Sequence, residues 1–120
     1  MNKHAYYLDL FVVLVFAAAG RASHSLSDSV LGVLETAWPF LIGVLVGWVA
    51  VLRQDRHVWW LDGVLIAMST IVVGMLLRLA TGEGTALAFV LVASGVLVAG
   101  LVGWRAVAAA FAARQHKSLT

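Results

Sequence analysis

Cysteine is absent from this 120-residue chain, and charged residues make up only 12% of it. The lack of cysteine excludes disulfide bonds and thiolate chemistry. The charged fraction is about half of the roughly 25% that is typical of soluble domains. Hydrophobic residues make up 62% of the chain. This composition indicates an integral membrane protein, so the lipid bilayer is an expected partner.

Basic residues are also few and scattered. The formal net charge is only +2, and the Lys and Arg residues stand at the ends of apolar runs. A protein that binds nucleic acid needs a concentrated basic patch or stripe. We therefore expect no nucleic-acid partner.

Four apolar segments are candidates for membrane spans, at residues 5–20, 37–52, 59–79 and 85–104. A spanning helix needs about 20 mainly apolar residues, so four spans use nearly the whole chain. Helices satisfy their backbone hydrogen bonds internally, as lipid requires. The sequence thus predicts one all-α domain over residues 1–120, a bundle of four transmembrane helices.

The distribution of basic residues predicts the orientation of the spans. Two of them, Arg21 and Arg78, fall on one side of the predicted membrane. Six fall on the other side, which both termini and the middle loop share: Lys3, Arg53, Arg56, Arg105, Arg114 and Lys117. Because short cytoplasmic segments are enriched in Lys and Arg, both termini are expected to be cytoplasmic.

Polar side chains are concentrated in the first predicted outer loop and the start of the second span, residues 20–40. Within it, apolar residues recur at helical spacing at Leu26, Val30, Leu31 and Leu34. This pattern predicts a short interfacial helix that lies along the outer membrane surface. Pro39 would then fall in the first turn of the second span, where its missing N–H costs nothing.

The outer residues are candidates for a ligand-binding entrance. Arg21 and Arg78 lie at the outer ends of spans one and three, and His24 and Glu35 lie in or beside the loop. Arginine binds carboxylates and phosphates bidentately, which favours an anionic solute or lipid headgroup. The alternative is that both arginine side chains only extend to the membrane–water interface and bind no ligand.

A metal or catalytic site in the same loop has weaker support. His24 and Asp28 are four residues apart, and Glu35 would complete a thin set of three ligands. No second histidine lies on this side, whereas metal and acid–base sites need several converging groups. We expect no metal, no cofactor and no enzymatic activity.

Two carboxylates, Asp9 and Asp62, interrupt or begin apolar spans. Ionisable groups within membrane segments are costly and often functional. Both lie toward the predicted cytoplasmic side, where arginines are available as partners: Arg53, Arg56 and Arg105. Structural ion pairs are the favoured interpretation, and a functional role is the alternative.

Small residues four apart permit close approach of membrane helices. They occur as Gly43 and Gly47 in span two and as Ala99 and Gly103 in span four. The contacts could be formed within one bundle or between copies of the chain. Oligomerisation is therefore expected to be possible.

The two halves of the chain share an order of residues that suggests a two-helix internal repeat. The pairs are Asp9 with Asp62, Arg21 with Arg78, Thr36 with Thr85, and Gly47-Trp48 with Gly103-Trp104. Their spacings differ between the halves, so a true duplication stays open. A parallel repeat would relate the halves by an axis along the membrane normal.

Several of these runs resemble a known family. They are Gly20-Arg21, Thr36-Ala37-Trp38-Pro39-Phe40, Gly43-x-x-x-Gly47-Trp48, Arg78 and Gly103-Trp104-Arg105. The sequence is similar to a family of small four-helix bacterial membrane proteins catalogued as a domain of unknown function. The resemblance implies a multi-pass protein of a bacterial cytoplasmic membrane. It does not indicate which activity the protein has.

Two functions follow as expectations. The first is an oligomeric transporter or channel component for an anionic solute or lipid headgroup, with Arg21, His24, Glu35 and Arg78 at its entrance. The second is a non-transporting accessory subunit of a larger membrane complex. The scarcity of polar side chains at mid-depth fits the second better than it fits a pore.

Overall fold

The described residues of the computed structural model form four α-helices. They are α1 (Lys3–Ser23), α2 (Val30–Leu52), α3 (Trp59–Ala80) and α4 (Leu87–Leu119). The structure describes residues 3–23, 30–55, 57–82 and 87–119, with side chains throughout except at 20–23, 30, 31, 87–89 and 116–119. Every regular element in this part of the chain is helical, so the all-α prediction is confirmed.

Three helices are long and apolar enough to cross a membrane. The qualifying segments are Gly32–Leu52, Trp59–Ala80 and Val90–Gln115. Helix α1 has 21 residues, which corresponds to a length of about 30 Å. It includes Lys3, His4 and Asp9, which lower its mean hydropathy. Its membrane crossing stays a prediction.

The start of α2 differs from the sequence prediction. Residues from Val30 onward already belong to α2, and Leu26 lies outside the described residues, so a separate interfacial helix stays a prediction. Pro39 consequently lies inside the helix, not in its first turn. Proline removes one hydrogen bond of the helix, here the bond to the carbonyl of Glu35. The neighbouring Ala37 and Phe40 are fully buried, and this packing holds the helix together across Pro39.

Helix α4 is longer than predicted. The predicted span ended at residue 104, whereas the helix continues to Leu119. Residues 106–113 are rich in alanine, the strongest helix former, so the helix continues without needing tertiary contacts. Its side chains from Val107 to Ala108 and from Ala110 to Gln115 are exposed.

The helices pack so that each contacts its neighbour in the sequence, and α1 also contacts α4. The most extensive pair is α2 with α3, which meet at Gly43 and Gly47. A Cβ atom on Gly43 would lie 2.7 Å from the Cα atom of Thr70, and one on Gly47 would lie 2.9 Å from the Cα atom of Ile66. Glycine is therefore what lets the two backbones approach this closely.

The mid-depth of the bundle is filled by apolar side chains. Phe16 and Phe40 meet edge to face, with ring centroids 5.2 Å apart. The two nearby hydroxyl groups donate to backbone carbonyls. Ser69 Oγ of α3 donates to the Gly43 carbonyl of α2 at 2.7 Å, and Thr70 Oγ1 donates to the Ile66 carbonyl of its own helix at 2.6 Å. The fully buried core also includes Val13, Ala17, Val44, Ile66, Leu97 and Leu101.

Replacing Gly43 by alanine tests this packing. The new methyl group would meet the backbone of α3, so we expect a loss of about 1–3 kcal/mol of unfolding free energy. The matched control is Gly95→Ala in α4, where a Cβ would have nothing within 4 Å. Unfolding by SDS titration of the monomer in mild detergent measures both. Equal stability of the two variants would contradict the α2–α3 contact.

Candidate functional site

The carboxylate of Asp9 in α1 is fully buried and accepts four hydrogen bonds. Arg105 Nη1 and Trp104 Nε1 donate to Oδ1 at 2.7 and 2.8 Å. Arg105 Nη2 and Trp48 Nε1 donate to Oδ2 at 2.7 and 2.9 Å. A carboxylate offers about four acceptor positions, so Asp9 is fully satisfied.

Arg105 in α4 is the cationic partner of this carboxylate. Its side chain is only 4% exposed and binds Asp9 through both terminal nitrogens. Nη1 also donates to the Leu101 carbonyl at 2.9 Å, one turn earlier in the helix. The guanidinium carbon lies 4.4 Å from the centre of the Trp104 ring, a cation–π geometry. The structure thus pairs Asp9 with one of the three arginines that the sequence offered.

The two tryptophans connect this ion pair to the rest of the bundle. Trp48 comes from the end of α2, and its ring also meets Tyr6 of α1 edge to face at 4.8 Å. Trp104 precedes Arg105 in α4. The network therefore joins three helices at one carboxylate: α1, α2 and α4.

Sequence reasoning did not identify these two tryptophans as partners of Asp9. A signal was available: Gly47-Trp48 and Gly103-Trp104 are matched dipeptides at the same end of their spans as Asp9. A buried carboxylate needs several donors, and an indole N–H is a donor only. The structure brings both matched tryptophans to the same residue.

Asp62 lies in the first turn of α3 and has a contrasting environment. It is 6% exposed. Its Oδ2 lies 3.5 Å from Nδ1 of His57, while Oδ1 is buried without a hydrogen-bond donor among the described side chains. The helix dipole favours a negative charge at this position. Asp62 therefore has fewer partners than Asp9, which is its counterpart in the predicted repeat. The repeat itself stays a prediction.

A cavity of about 290 Å³ opens beside Asp62. It lies between α1, α3 and α4, the side of the bundle where α1 and α3 are held apart. Its lining is composed of small, aromatic and charged side chains: Ala5, Trp59, Asp62, Trp104, Arg105, Ala108 and Ala109. The two carboxylates of the sequence prediction are thereby brought to one end of the bundle, called here the Asp9 end.

The predicted outer entrance is described only in part. Glu35 is exposed on α2, and Arg78 is half-buried in the last turn of α3. Thr81 ends that helix, and its hydroxyl donates to the Leu77 carbonyl at 2.9 Å. The side chain of Arg21 and all of His24 lie outside the described residues, so the four-residue entrance stays a prediction.

The glycines of α4 differ in their surroundings. Gly100 packs against Val12 of α1, whereas a Cβ on Gly95 or Gly103 would meet nothing within 4 Å. Ala99 lies between them on the same face and is exposed. The small residues Ala106 and Ala110 continue this face, which we call the α4 small-residue face: Gly95, Ala99, Gly103, Ala106 and Ala110.

The described part of the chain has four helices, three of them able to span a membrane, and a buried charge network at one end. These features define a small all-helical, membrane-embedded protein. The chain belongs to the family described as "Protein of unknown function (DUF3054)", whose model matches residues 6–108. The match contains Asp9, Asp62 and Arg105, and it confirms the resemblance to an uncharacterised family. Comparison with the curated proteins and with the solved structures gives no significant match.

Breaking the ion pair from one side tests whether it holds the bundle together. Asp9→Leu leaves the Arg105 charge buried without its partner, and we expect a loss of about 3–5 kcal/mol of unfolding free energy. The double variant Asp9→Leu with Arg105→Met removes both charges and should be more stable than Asp9→Leu alone. Unfolding of the variants by SDS titration measures this. A double variant less stable than the single one would contradict the prediction.

Proposed function

We propose that this protein is a non-transporting subunit of a larger membrane assembly, which it contacts through the α4 small-residue face. The observation that carries the proposal is the contrast among its helical glycines. Those on the inner faces meet another helix, as at Gly43, Gly47, Gly63, Gly74 and Gly100. Gly95 and Gly103 of α4 do not.

The packing of the described core supports a non-transporting role. A channel or transporter lines its pathway with polar groups or backbone carbonyls. Here Phe16, Phe40 and Leu97 fill the centre of the bundle, and the hydroxyls of Ser69 and Thr70 bond to helix carbonyls. One copy of the chain thus offers little polar surface at mid-depth in its described part.

The α4 small-residue face indicates that the partner contributes a helix to the contact. Lipid tails are as apolar as leucine, so membrane helices associate through close packing at small residues. This face runs from Gly95 to Ala110, about 22 Å along the helix, and continues past Arg105 where α4 extends beyond the ion pair. A single transmembrane helix of a partner protein, about 30 Å long, is long enough to cover the whole face.

The topology is part of the same proposal. We place all four helices across the membrane with both termini on the cytoplasmic side, as the distribution of basic residues favours. The case for α1 as a fourth span is its packing on α2 and α4 and the bonds that Asp9 forms with both.

Transport of an anionic solute or lipid headgroup by an oligomer is the second candidate. The observation that favours it is the buried Asp9–Arg105 pair, since charges inside membrane segments often mark ion or solute pathways. The entrance would consist of Arg21, His24, Glu35 and Arg78, as the sequence suggests.

Enlarging the α4 small-residue face tests the first candidate. Ala99→Leu should separate this chain from its assembly, because the larger side chain keeps a partner helix at a distance. The matched control is Ala50→Leu, on an exposed position of α2. Native electrophoresis of gently solubilised membranes should show a complex for the wild type and for Ala50→Leu, and the free chain for Ala99→Leu.

Mass spectrometry of the excised complex decides the partner. A second protein in stoichiometric amount supports the proposal. A complex that contains only this chain, or one that is unchanged by Ala99→Leu, contradicts it.

The second candidate has its own test in liposomes. Arg78→Ala and Arg21→Ala should each abolish the flux of phosphate or chloride if these arginines form the entrance, while the protein stays folded. Arg53→Ala is the control, since Arg53 is exposed beyond the opposite end of α2. Flux that is unchanged in both entrance variants, or absent from the wild type, removes the transport candidate.

A further inference from the structure

We propose that the cavity beside Asp62 binds a primary ammonium group, carried either by a small free amine or by the headgroup of phosphatidylethanolamine. This site does not depend on the proposed function, because it lies at the Asp9 end of the bundle and involves none of the α4 small-residue face. The proposal rests on the hydrogen bonds, charge and lining of the cavity.

The hydrogen bonds of Asp62 are the first support. Asp62 is more than nine-tenths buried, yet Oδ1 has no protein donor in the described chain, and Oδ2 has only His57 at 3.5 Å. That distance exceeds the usual 2.7–3.2 Å of a hydrogen bond from nitrogen. A buried acceptor without a donor is costly. An ammonium group carries N–H donors, and it would donate to Oδ2, because Oδ1 is fully buried.

The charge of the cavity is the second support. Arg105 also lines it, but its guanidinium is bound by both oxygens of Asp9, and this pair is neutral. His57 adds a positive charge only when it is protonated. The carboxylate of Asp62 is therefore the net charge of the wall, and it selects a cation.

The lining is the third support. The indoles of Trp59 and Trp104 border the cavity together with Ala5, Ala108 and Ala109. Aromatic rings beside a carboxylate attract ammonium groups through their negative faces. The alanines leave room, and a volume of about 290 Å³ is at the lower end for ligand pockets, which suits a small headgroup or amine.

The donor requirement narrows the ligand class. A quaternary ammonium has no N–H and would leave the Asp62 carboxylate without a hydrogen bond. A guanidinium or a long polyamine is larger than a simple amine and would bring a second charge or donor set close to Arg105. A single primary ammonium donates to the Asp62 carboxylate and matches its charge.

The test uses the full chain, labelled with ¹⁵N-tryptophan, in nanodiscs of phosphatidylcholine and phosphatidylglycerol, which carry no primary amine. Propylammonium chloride is titrated while the indole N–H signal of Trp59 is followed. We expect a saturable shift for the wild type, and binding at least tenfold weaker for Asp62→Asn. Asp55→Asn, which changes an exposed carboxylate of the neighbouring loop, should bind as the wild type does.

Two further probes, one neutral and one quaternary, make the test independent of the variants. 1-Propanol has nearly the same shape without the charge, and tetramethylammonium has the charge without the N–H donors. Propylammonium should bind at least tenfold more tightly than either. Equal binding of propylammonium and 1-propanol, or no saturable shift with propylammonium, would overturn the proposal whether or not Asp62→Asn folds.

A second arm distinguishes the two sources of the ammonium group. Native mass spectrometry from nanodiscs with equal amounts of phosphatidylethanolamine and phosphatidylcholine measures which lipid stays bound. Preferential retention of phosphatidylethanolamine by the wild type, and not by Asp62→Asn, assigns the site to the lipid headgroup. Equal retention of the two lipids, together with binding of propylammonium, assigns it to a free amine.

Discussion

A single buried carboxylate constrains the described bundle. Asp9 would be very unfavourable in an apolar interior by itself, because burial of a charge requires a partner and filled hydrogen-bond positions. Arg105 supplies the charge, and Trp48 and Trp104 supply the remaining donors, so α1, α2 and α4 must be in register at this point. If the helices were held by apolar packing alone, they could rotate or slide against each other with a smaller loss of stability.

The composition of the sequence alone does not determine this network. The number of helices follows from the apolar runs, which is why three spans and the end of α2 at Leu52 agree with the sequence. Which side of a helix faces its neighbour is harder to predict, because core and lipid are both apolar and no polar stripe marks the outside. The pairing of Asp9 with Arg105 was one of several choices, and the Trp48 bond was not predicted.

The errors at helix ends have local physical reasons. The start of α2 was placed too late because Pro39 is typical of a first turn, whereas burial of Ala37 and Phe40 keeps the helix intact on both sides of it. The end of α4 was placed too early because a membrane span needs only about 20 residues. Alanine-rich residues 106–113 continue the helix for reasons of propensity.

The two carboxylates at the Asp9 end have opposite characters. Asp9 has every acceptor position filled and is positioned to hold helices together. Asp62 is slightly less buried, and one of its oxygens has no donor among the described residues. The structural carboxylate and the proposed binding carboxylate thus lie on helices that do not contact each other, α1 and α3, and both lie near Arg105 and Trp104 of α4. The α4 small-residue face is a third feature, on the outside, and concerns association with other helices.

Hydrogen exchange of the five indole N–H groups tests the central claim, that the bundle is organised around Asp9. In the ¹⁵N-tryptophan-labelled protein in nanodiscs, the N–H signals of Trp48 and Trp104 should exchange with deuterium far more slowly than those of Trp38, Trp59 and Trp60, which are 40%, 43% and 52% exposed. Slow exchange confined to those two indoles is the result that the structure predicts. Similar exchange rates for all five would contradict the network.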